Sequence, residues 1–185
     1  MRQSKLQKLI LISILAALSF ILMLLQFPIP FIPPFLTVDL SDIPAFIGFI
    51  LLGGIAGSLI IILKIVLYGL LMASEPIGPL ANLLAAFSLL LPIYFMYIRS
   101  KTKKSLIAGF VIGTLTLTIM MAVLNYFVLL PMYGLIIDHT DLIANIRAVV
   151  TAGIIPFNII KGIIVCLVAY LIYTKLIPKL ENLMR

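Results

Sequence analysis

Three polar side chains stand inside otherwise apolar stretches of this 185-residue chain. Asn158 and Lys161 are three positions apart, so they would share one face of a helix, and Asn125 lies in a separate apolar run. Amides donate and accept hydrogen bonds and an ammonium group donates them, so this set suits the polar edge of a small ligand. Because polar groups are costly at depth in a membrane, the three residues indicate a binding site.

Lys161 needs a partner if its helix crosses a membrane, because an unpaired lysine there costs about 2.5–3.5 kcal/mol. The expected partner is Glu75, Asp39 or the ligand itself. In the alternative interpretation, the side chain extends to the outer lipid headgroups and has no part in binding. The two asparagines nearby favour the binding site.

Other side chains are second candidates for ligand contact. Asn82 suits a contact with the ligand and a helix cap equally well. Aromatic rings could stack on a flat ligand, although rings near helix ends commonly anchor a protein at the membrane interface. The aromatic candidates are Tyr94, Tyr126, Tyr133 and Phe157. Lys64 is given a structural position and no role in binding.

The sequence lacks a phosphate-binding loop, a serine–histidine pair of the protease type and a disulfide. Gly57 and Lys64 are seven positions apart and isoleucine follows the lysine, so they do not form a G-x-x-x-x-G-K-[ST] phosphate-binding loop. His139 is the only histidine and has no obvious serine partner. Cys166 is the only cysteine, which excludes a disulfide within the chain. The sequence predicts no catalytic residue and no metal site.

Two pairs of aspartates have D-x-x-D spacing, which can bind magnesium in a membrane transferase acting on diphosphates. The pairs are Asp39 with Asp42 and Asp138 with Asp141. This spacing is common by chance, and both pairs fall in predicted outer loops, whereas cytosolic phosphorylated substrates would need them inside. Helix capping and a solvated loop are therefore the favoured interpretations.

The composition is that of a membrane protein. Hydrophobic residues make up 64% of the chain and charged residues 10%, which leaves too little polar surface to cover a soluble domain of this size. The net charge of +7 comes from short patches between apolar runs, so it indicates membrane topology. The expected surroundings are a lipid bilayer, with no nucleic acid as a partner.

Six apolar runs predict an all-α, integral membrane six-helix bundle that forms a single transmembrane domain over residues 1–185. The runs cover residues 6–27, 43–52, 55–72, 80–98, 105–130 and 154–177. The second run is only about 15 Å long, half of the roughly 30 Å hydrocarbon core, so it is either a separate helix hinged at Gly53 and Gly54 or part of a longer one. Two helices place ten of the thirteen lysines and arginines on one face of the membrane. We therefore predict six helices with the N- and C-termini cytoplasmic.

Three connections then lie on the outer face, at residues 28–42, 73–79 and 131–153. The first is rich in proline, which favours a stiff extended loop. At its end, Asp42 is predicted to cap the next helix, with Pro44 in the first turn of that helix.

Small residues four positions apart predict close packing between helices, because they let two helix backbones approach each other in a membrane. These pairs are Gly53 with Gly57, Ala81 with Ala85, Gly109 with Gly113 and, as a weaker case, Ser13 with Ala17.

Several segments together resemble one protein family. They are the basic N-terminus, the proline-rich loop leading into Thr37-Val38-Asp39-Leu40-Ser41-Asp42-Ile43-Pro44, and the later segments Asn125-Tyr126-Phe127, Pro131-Met132-Tyr133-Gly134 and Pro156-Phe157-Asn158-Ile159-Ile160-Lys161-Gly162. With these segments, the chain resembles nearly end to end the substrate-binding S components of the energy-coupling factor (ECF) vitamin transporters. The resemblance is to the riboflavin-binding type.

The resemblance implies a high-affinity subunit that captures riboflavin from outside in the outer half of the bundle, with no cofactor or enzymatic activity of its own. It also implies a transmembrane coupling subunit and two cytosolic ATPases as partners, in a bacterial cell membrane. Asn125, Asn158 and Lys161 would then meet the polar edge of the flavin. Leu36 and aromatic rings would cover its apolar face. The candidates for the hydroxyl chain or the rim are Glu75, Thr37, Asp39 and Asn82.

In this family an Ala-x-x-x-Ala pattern on the first helix helps to dock the coupling subunit. The predicted docking residues here are Ser13, Ala16 and Ala17, and the segment Ser13-Ile14-Leu15-Ala16-Ala17 keeps small residues without that pattern. Three alternatives remain open: an S component for another vitamin, a membrane enzyme that uses the aspartate pairs, and a channel or exporter subunit.

Overall fold

Helices packed side by side make up most of the structure, which is a computed structural model describing residues 4–33, 35–137 and 145–177. The first four helices are α1 (Lys5–Leu24), α2 (Asp42–Leu52), α3 (Gly54–Leu71) and α4 (Ile77–Ser100). The fifth, α5 (Lys103–Leu124), runs through a π-helical turn at Asn125–Leu129 into α6 (Leu130–Ile137). A short α7 (Ile146–Ala148) likewise runs through a π-helical turn at Val149–Ile154 into α8 (Ile155–Lys175).

Among the residues that the structure describes, five helical stretches are long and apolar enough to cross a membrane. They are Lys5–Leu24, Gly54–Leu71, Ile77–Ser100, Lys103–Leu135 and Ile146–Lys175. Many large apolar side chains on these helices are exposed on the outside of the bundle, as a lipid environment requires. The α2 helix is also apolar, but its 11 residues reach only about 16 Å.

A sharp break separates α2 from α3 at the predicted hinge. Gly53 has a φ of +97°, a backbone conformation that glycine adopts without the steric cost of a Cβ atom. Beyond the break the two helices pack closely, and a Cβ atom on Gly57 would lie 2.3 Å from the ring of Phe49. Gly57 is therefore needed for α2 to pack closely against α3.

The first outer loop begins and ends in a very small antiparallel sheet, which the all-α prediction did not include. In it, β1 (Phe27–Pro28) pairs with β2 (Thr37–Val38). The hydroxyl of Thr37 also donates to Oε1 of Gln26 at 3.0 Å, which joins the end of the loop to the end of α1. The prolines between the strands have no N–H to extend the pairing, so the rest of the loop is irregular.

The last outer connection is shorter than predicted. Residues 131–153 were expected to form a loop, but α6 continues to Ile137 and α7 begins at Ile146. Each π-helical turn ends two residues before a proline, Pro131 or Pro156. A wider turn relieves the clash of the proline ring with the preceding helical turn, so the helix continues where proline usually ends it. Asp138, His139 and Asp141 lie outside the described residues.

Small residues bring α4 and α5 together as predicted. A Cβ atom on Gly113 would lie 2.7 Å from the carbonyl oxygen of Leu89, and one on Gly109 would lie 3.1 Å from Cα of Ile93. These distances leave no room for a larger side chain. The contact fixes the position of α4, and therefore of the residues near its first turns.

Candidate ligand-binding site

A cavity of about 100 Å³ lies between the first outer loop and the helices α4, α5, α6 and α8. The loop and α4 contribute Phe35, Leu36, Thr37, Gly78, Ala81, Asn82 and Ala85 to its wall. The remaining lining residues are Met121, Asn125, Tyr133, Ile154, Phe157, Asn158 and Lys161. The cavity therefore has an apolar and a polar part.

The polar part comes mainly from Asn125, Asn158 and Lys161. Asn158 and Lys161 lie on one face of α8, and Asn125 lies at the start of the π-helical turn after α5; all three are buried. The amide of Asn125 donates to the carbonyl of Met121, and that of Asn158 to the carbonyl of Ile154, both at 2.8 Å. Within the described part of the chain the amide oxygens of both asparagines have no hydrogen-bond partner, so they can accept hydrogen bonds from a ligand.

Lys161 has its partner in the loop before α2. Its Nζ lies 3.8 Å from Oδ2 of Asp39 and 3.4 Å from Oδ1 of Asn82. The residue is only 4% exposed, so the alternative in which it reaches the lipid headgroups is wrong for this structure. The ion pair places the ammonium group at the cavity wall, where its remaining donor directions can meet a ligand.

Glu75 does not pair with Lys161, although it was one of the expected partners. Its carboxylate accepts hydrogen bonds from the backbone N–H groups of Ile77, at 2.5 Å, and Gly78, at 2.9 Å. It also accepts one from the hydroxyl of Tyr133 at 3.2 Å. Glu75 therefore holds the first turn of α4 and orients Tyr133, which lines the cavity, while lying behind the wall itself.

The aromatic candidates divide into two groups. Phe157 lines the cavity, as does Tyr133. Tyr94 and Tyr126 do not: the ring of Tyr94 packs on Phe49 with the centroids 5.3 Å apart, and the ring of Tyr126 packs on its neighbour Phe127 at 4.8 Å. Spacing within a helix cannot separate these cases, because the π-helical turn and the position along α4 decide which rings face the cavity.

Several apolar lining residues were not among the predicted contacts. Ala81 and Ala85 were interpreted as packing residues, but they border the cavity, where their small side chains leave space. The spacing could have indicated this, because Ala85 is three positions from Asn82 and four from Ala81, and residues three or four apart share a helix face. The residues without any earlier assignment are Phe35, Gly78, Met121 and Ile154.

A second buried ion pair lies close by, and the sequence analysis missed it. Nζ of Lys64 lies 2.5 Å from Oδ1 of Asp42 and 2.7 Å from the hydroxyl oxygen of Ser41. Lys64 and Asp42 are each only 1% exposed. Asp42 was predicted to cap α2, but it is the first residue of the helix and Ser41 is at the N-cap position, without a side-chain cap. The spacing of 22 positions gave no local signal for this pair.

The aspartate pair in the first loop does not form a metal site. Asp39 and Asp42 each have their own lysine partner instead of facing a common open space. No group of three metal-binding side chains occurs among the residues described. The second aspartate pair lies outside those residues. A magnesium-dependent enzyme therefore gains no support from the first loop.

The docking candidates on α1 do not share one face. Ser13 and Ala17 are exposed on the outside of the bundle, four positions apart. Ala16 is only 2% exposed and packs into the core. The structure thus leaves two of the three predicted residues accessible to a partner.

A larger groove of about 440 Å³ lies between α5 and α8, away from the polar residues. Its wall is almost entirely apolar, with Ile107, Val111 and Leu167 among the exposed side chains. Thr114 and Tyr170 are its hydroxyl-bearing residues, and its lining contains no charged side chain.

Comparison with known proteins gives consistent matches over nearly the whole chain. The family model for the substrate-specific component of ECF transporters matches residues 7–173. The riboflavin transporter RibU of Staphylococcus aureus (strain TCH60) is 44% identical over 99% of this chain and 96% of its own length. The riboflavin transporter FmnP of Bacillus subtilis (strain 168) is 38% identical, with 96% of each chain covered.

A solved structure, described as that of the S component of a bacterial ECF transporter, is also similar. It is 41% identical, covers 98% of this chain and 99% of that chain, and superposes with a TM-score of 0.82.

Proposed function

This chain belongs to the family of substrate-specific components of ECF transporters, and we propose that it is the riboflavin-binding subunit of such a transporter in a bacterial cell membrane. The observation that carries the proposal is the buried wall formed by Asn125, Asn158 and Lys161 in one cavity. The relatives named as riboflavin transporters support it, because their similarity extends over the whole site region.

The chemistry of the cavity suits riboflavin. The flavin ring has one edge of alternating hydrogen-bond donors and acceptors, which amide and ammonium groups can match. Asn125, Asn158 and Lys161 would meet this edge. Leu36 and Phe157 would cover the apolar face of the ring system. The candidates for contacts with the hydroxyl chain or the rim are Thr37, Asp39, Asn82 and Glu75, the last through Tyr133.

Binding requires the cavity to widen. Its volume of about 100 Å³ is below the roughly 300–1,000 Å³ of ordinary ligand pockets. Phe35 and Leu36 belong to the irregular part of the first loop, whose ends are joined by the two-residue strands and the Thr37–Gln26 hydrogen bond. We propose that this loop moves outward to admit riboflavin and closes over it.

The proposed topology has six membrane helices with both chain ends in the cytoplasm. The break at Gly53 supports it, because it makes α2 and α3 separate helices, and nearly all residues of α2 are buried inside the bundle. The basic residues at the start of α1, between α4 and α5 and at the end of α8 then lie on the cytoplasmic side.

The chain is proposed to act with a transmembrane coupling subunit and two cytosolic ATPases. Its sequence has no G-x-x-x-x-G-K-[ST] phosphate-binding loop, so we propose that the partner ATPases hydrolyse the nucleotide that drives transport. Ser13 and Ala17 form the proposed contact on α1, because their small side chains allow another helix to approach.

Flavin titration of the detergent-purified protein tests the proposal. Riboflavin fluorescence should be quenched to saturation, and protein purified from cells should carry flavin absorbance. A colourless protein that does not quench riboflavin would contradict it. Competition by thiamine or biotin would instead indicate an S component for another vitamin, and magnesium-dependent turnover would indicate an enzyme.

A further inference from the structure

Four buried charged groups meet at one short segment next to the cavity. Asp39 and Asp42, three positions apart at the start of α2, pair with Lys161 and Lys64 respectively. All four side chains are at most 4% exposed. The two carboxylates and two ammonium groups balance in charge, which is the condition for keeping them buried in an apolar bundle.

The two ion pairs are connected through the residue between them. The backbone N–H of Ser41 donates to Oδ1 of Asp39 at 2.8 Å, and its hydroxyl oxygen accepts from Lys64 at 2.7 Å. The backbone carbonyl of Ser41 also accepts a hydrogen bond from the hydroxyl of Ser19 on α1. Lys64 therefore contacts the segment that orients Asp39, although it is not part of the cavity wall.

Lys161 pairs with Asp39, and Asp42 is the next acidic residue of the same short segment, three positions further on. One oxygen of Asp42, Oδ2, is buried and accepts no hydrogen bond from the described residues. Lys64 occupies the other oxygen. Without Lys64, Asp42 would be a buried carboxylate with no cation of its own, and the attraction between it and Lys161 would no longer be opposed.

We infer that Lys64 is a positioning residue for the riboflavin site. By neutralising Asp42, it leaves Lys161 with Asp39 and Asn82 at the cavity wall, where the ammonium group meets the ligand. The inference rests on the proposed function for the identity of the ligand. It adds a residue that touches neither the cavity nor the ligand but determines where Lys161 lies.

Riboflavin quench titrations of three proteins test this inference. Lys64→Met should bind riboflavin at least about tenfold more weakly than the wild type, a change of about 1.4 kcal/mol. The double variant Lys64→Met with Asp42→Asn should return to within about threefold of the wild type, because the carboxylate that attracts Lys161 is gone. A Lys64→Met protein that binds like the wild type would overturn the inference.

Weaker binding by Lys64→Met could come from lower stability of the protein or from a displaced Lys161, and the two effects must be separated. Leu106→Ala is a matched control: it removes a fully buried side chain near the start of α5, far from Asp42 and the cavity. It should lower the melting temperature in detergent without a comparable change in riboflavin affinity. If Leu106→Ala weakens binding as much as Lys64→Met at an equal loss of stability, Lys64 acts through stability alone and the inference fails.

The double variant can still overturn the inference if Lys64→Met does not fold. It contains no unpaired buried charge at this position, so it is expected to fold. A folded double variant that binds riboflavin weakly would overturn the inference. A wild-type protein that does not bind riboflavin would overturn the proposed function, and the inference with it. Wild-type binding together with an unaffected Lys64→Met protein would overturn the inference alone.

Discussion

Nζ of Lys161 on α8 lies 3.8 Å from Oδ2 of Asp39 in the loop before α2. This ion pair connects the first outer loop with α8. In the proposed function this loop opens to admit the ligand, and α8 carries Asn158 and Lys161. The pair is buried, so each partner depends on the other to offset the cost of leaving water.

Removal of the Asn158 side chain should weaken riboflavin binding without unfolding the bundle. In Asn158→Ala, a ligand group that bonded to the amide would lose its partner, which typically costs about 1–3 kcal/mol, or roughly 5- to 150-fold in affinity. Fluorescence quenching measures the change. Thr174→Ala is the control on the same helix, because its hydroxyl bonds only to the helix backbone. Unchanged affinity in Asn158→Ala would place the site elsewhere.

Breaking the Lys161–Asp39 pair should destabilise the protein more than removing both charges. Lys161→Met leaves Asp39 as a buried unpaired carboxylate, at a cost of about 3–5 kcal/mol in the free energy of unfolding. The double variant with Asp39→Asn should recover most of that stability but still bind riboflavin weakly. Thermal unfolding in detergent without flavin provides the comparison. Equal melting temperatures for the single variant and the wild type would mean that the pair is not formed.

Loss of the Tyr133 hydroxyl should loosen the rim of the cavity. Tyr133→Phe removes its hydrogen bond to Glu75, worth about 0.5–1.5 kcal/mol, and keeps the ring. We expect riboflavin to dissociate faster, with the equilibrium affinity reduced by less than about tenfold. Stopped-flow fluorescence separates the two rates. A dissociation rate equal to that of the wild type would show that this contact does not control release.

The packing of α4 on α5 should not tolerate a larger residue at Gly113. Because a Cβ atom there would lie 2.7 Å from the carbonyl oxygen of Leu89, Gly113→Ala should lower the free energy of unfolding by about 1–3 kcal/mol. Gly69→Ala is the matched control, since its nearest neighbour would be 3.9 Å away and alanine favours the helix. Equal melting temperatures for Gly113→Ala and Gly69→Ala would contradict the close packing of α4 on α5 at Gly113.

A bulky residue on the exposed face of α1 should separate binding from transport. Ala17→Leu is expected to reduce co-purification with the coupling subunit, because a larger side chain prevents close approach of another helix. Riboflavin affinity of the isolated chain should stay within about twofold of the wild type, since Ala17 lies outside the cavity. An intact complex with the variant would place the docking surface on another face.

The helices, and the position of Asn158 and Lys161 on one helix face, could be predicted from the sequence because their signals are local. The apolar runs gave α1 to α4, and the spacing of Asn158 and Lys161 placed them on one face. The pairing of Asp42 with Lys64 could not be predicted in this way. It depends on α3 folding back on α2 at Gly53, and no pattern within either helix shows which side chains then meet.

The outer connection predicted at residues 131–153 was wrong for a different reason: α6 extends into it. The predicted run 105–130 ended just before Pro131, and proline usually ends a regular helix. In the structure a wider turn before Pro131 lets the helix continue to Ile137. Tyr126 lies in this turn and packs on Phe127 instead of lining the cavity.

The wider turn at Asn125–Leu129 also sets the direction of the residues beyond it. Asn125 and Tyr133 are eight positions apart, and on a regular helix their side chains would point about 80° away from each other. The additional residue in the turn reduces this divergence to about 20°, so both side chains project to the same side. If the same residues formed a regular α-helical turn, Tyr133 would rotate out of the cavity wall, while the cytoplasmic half of the helix would keep its present phase.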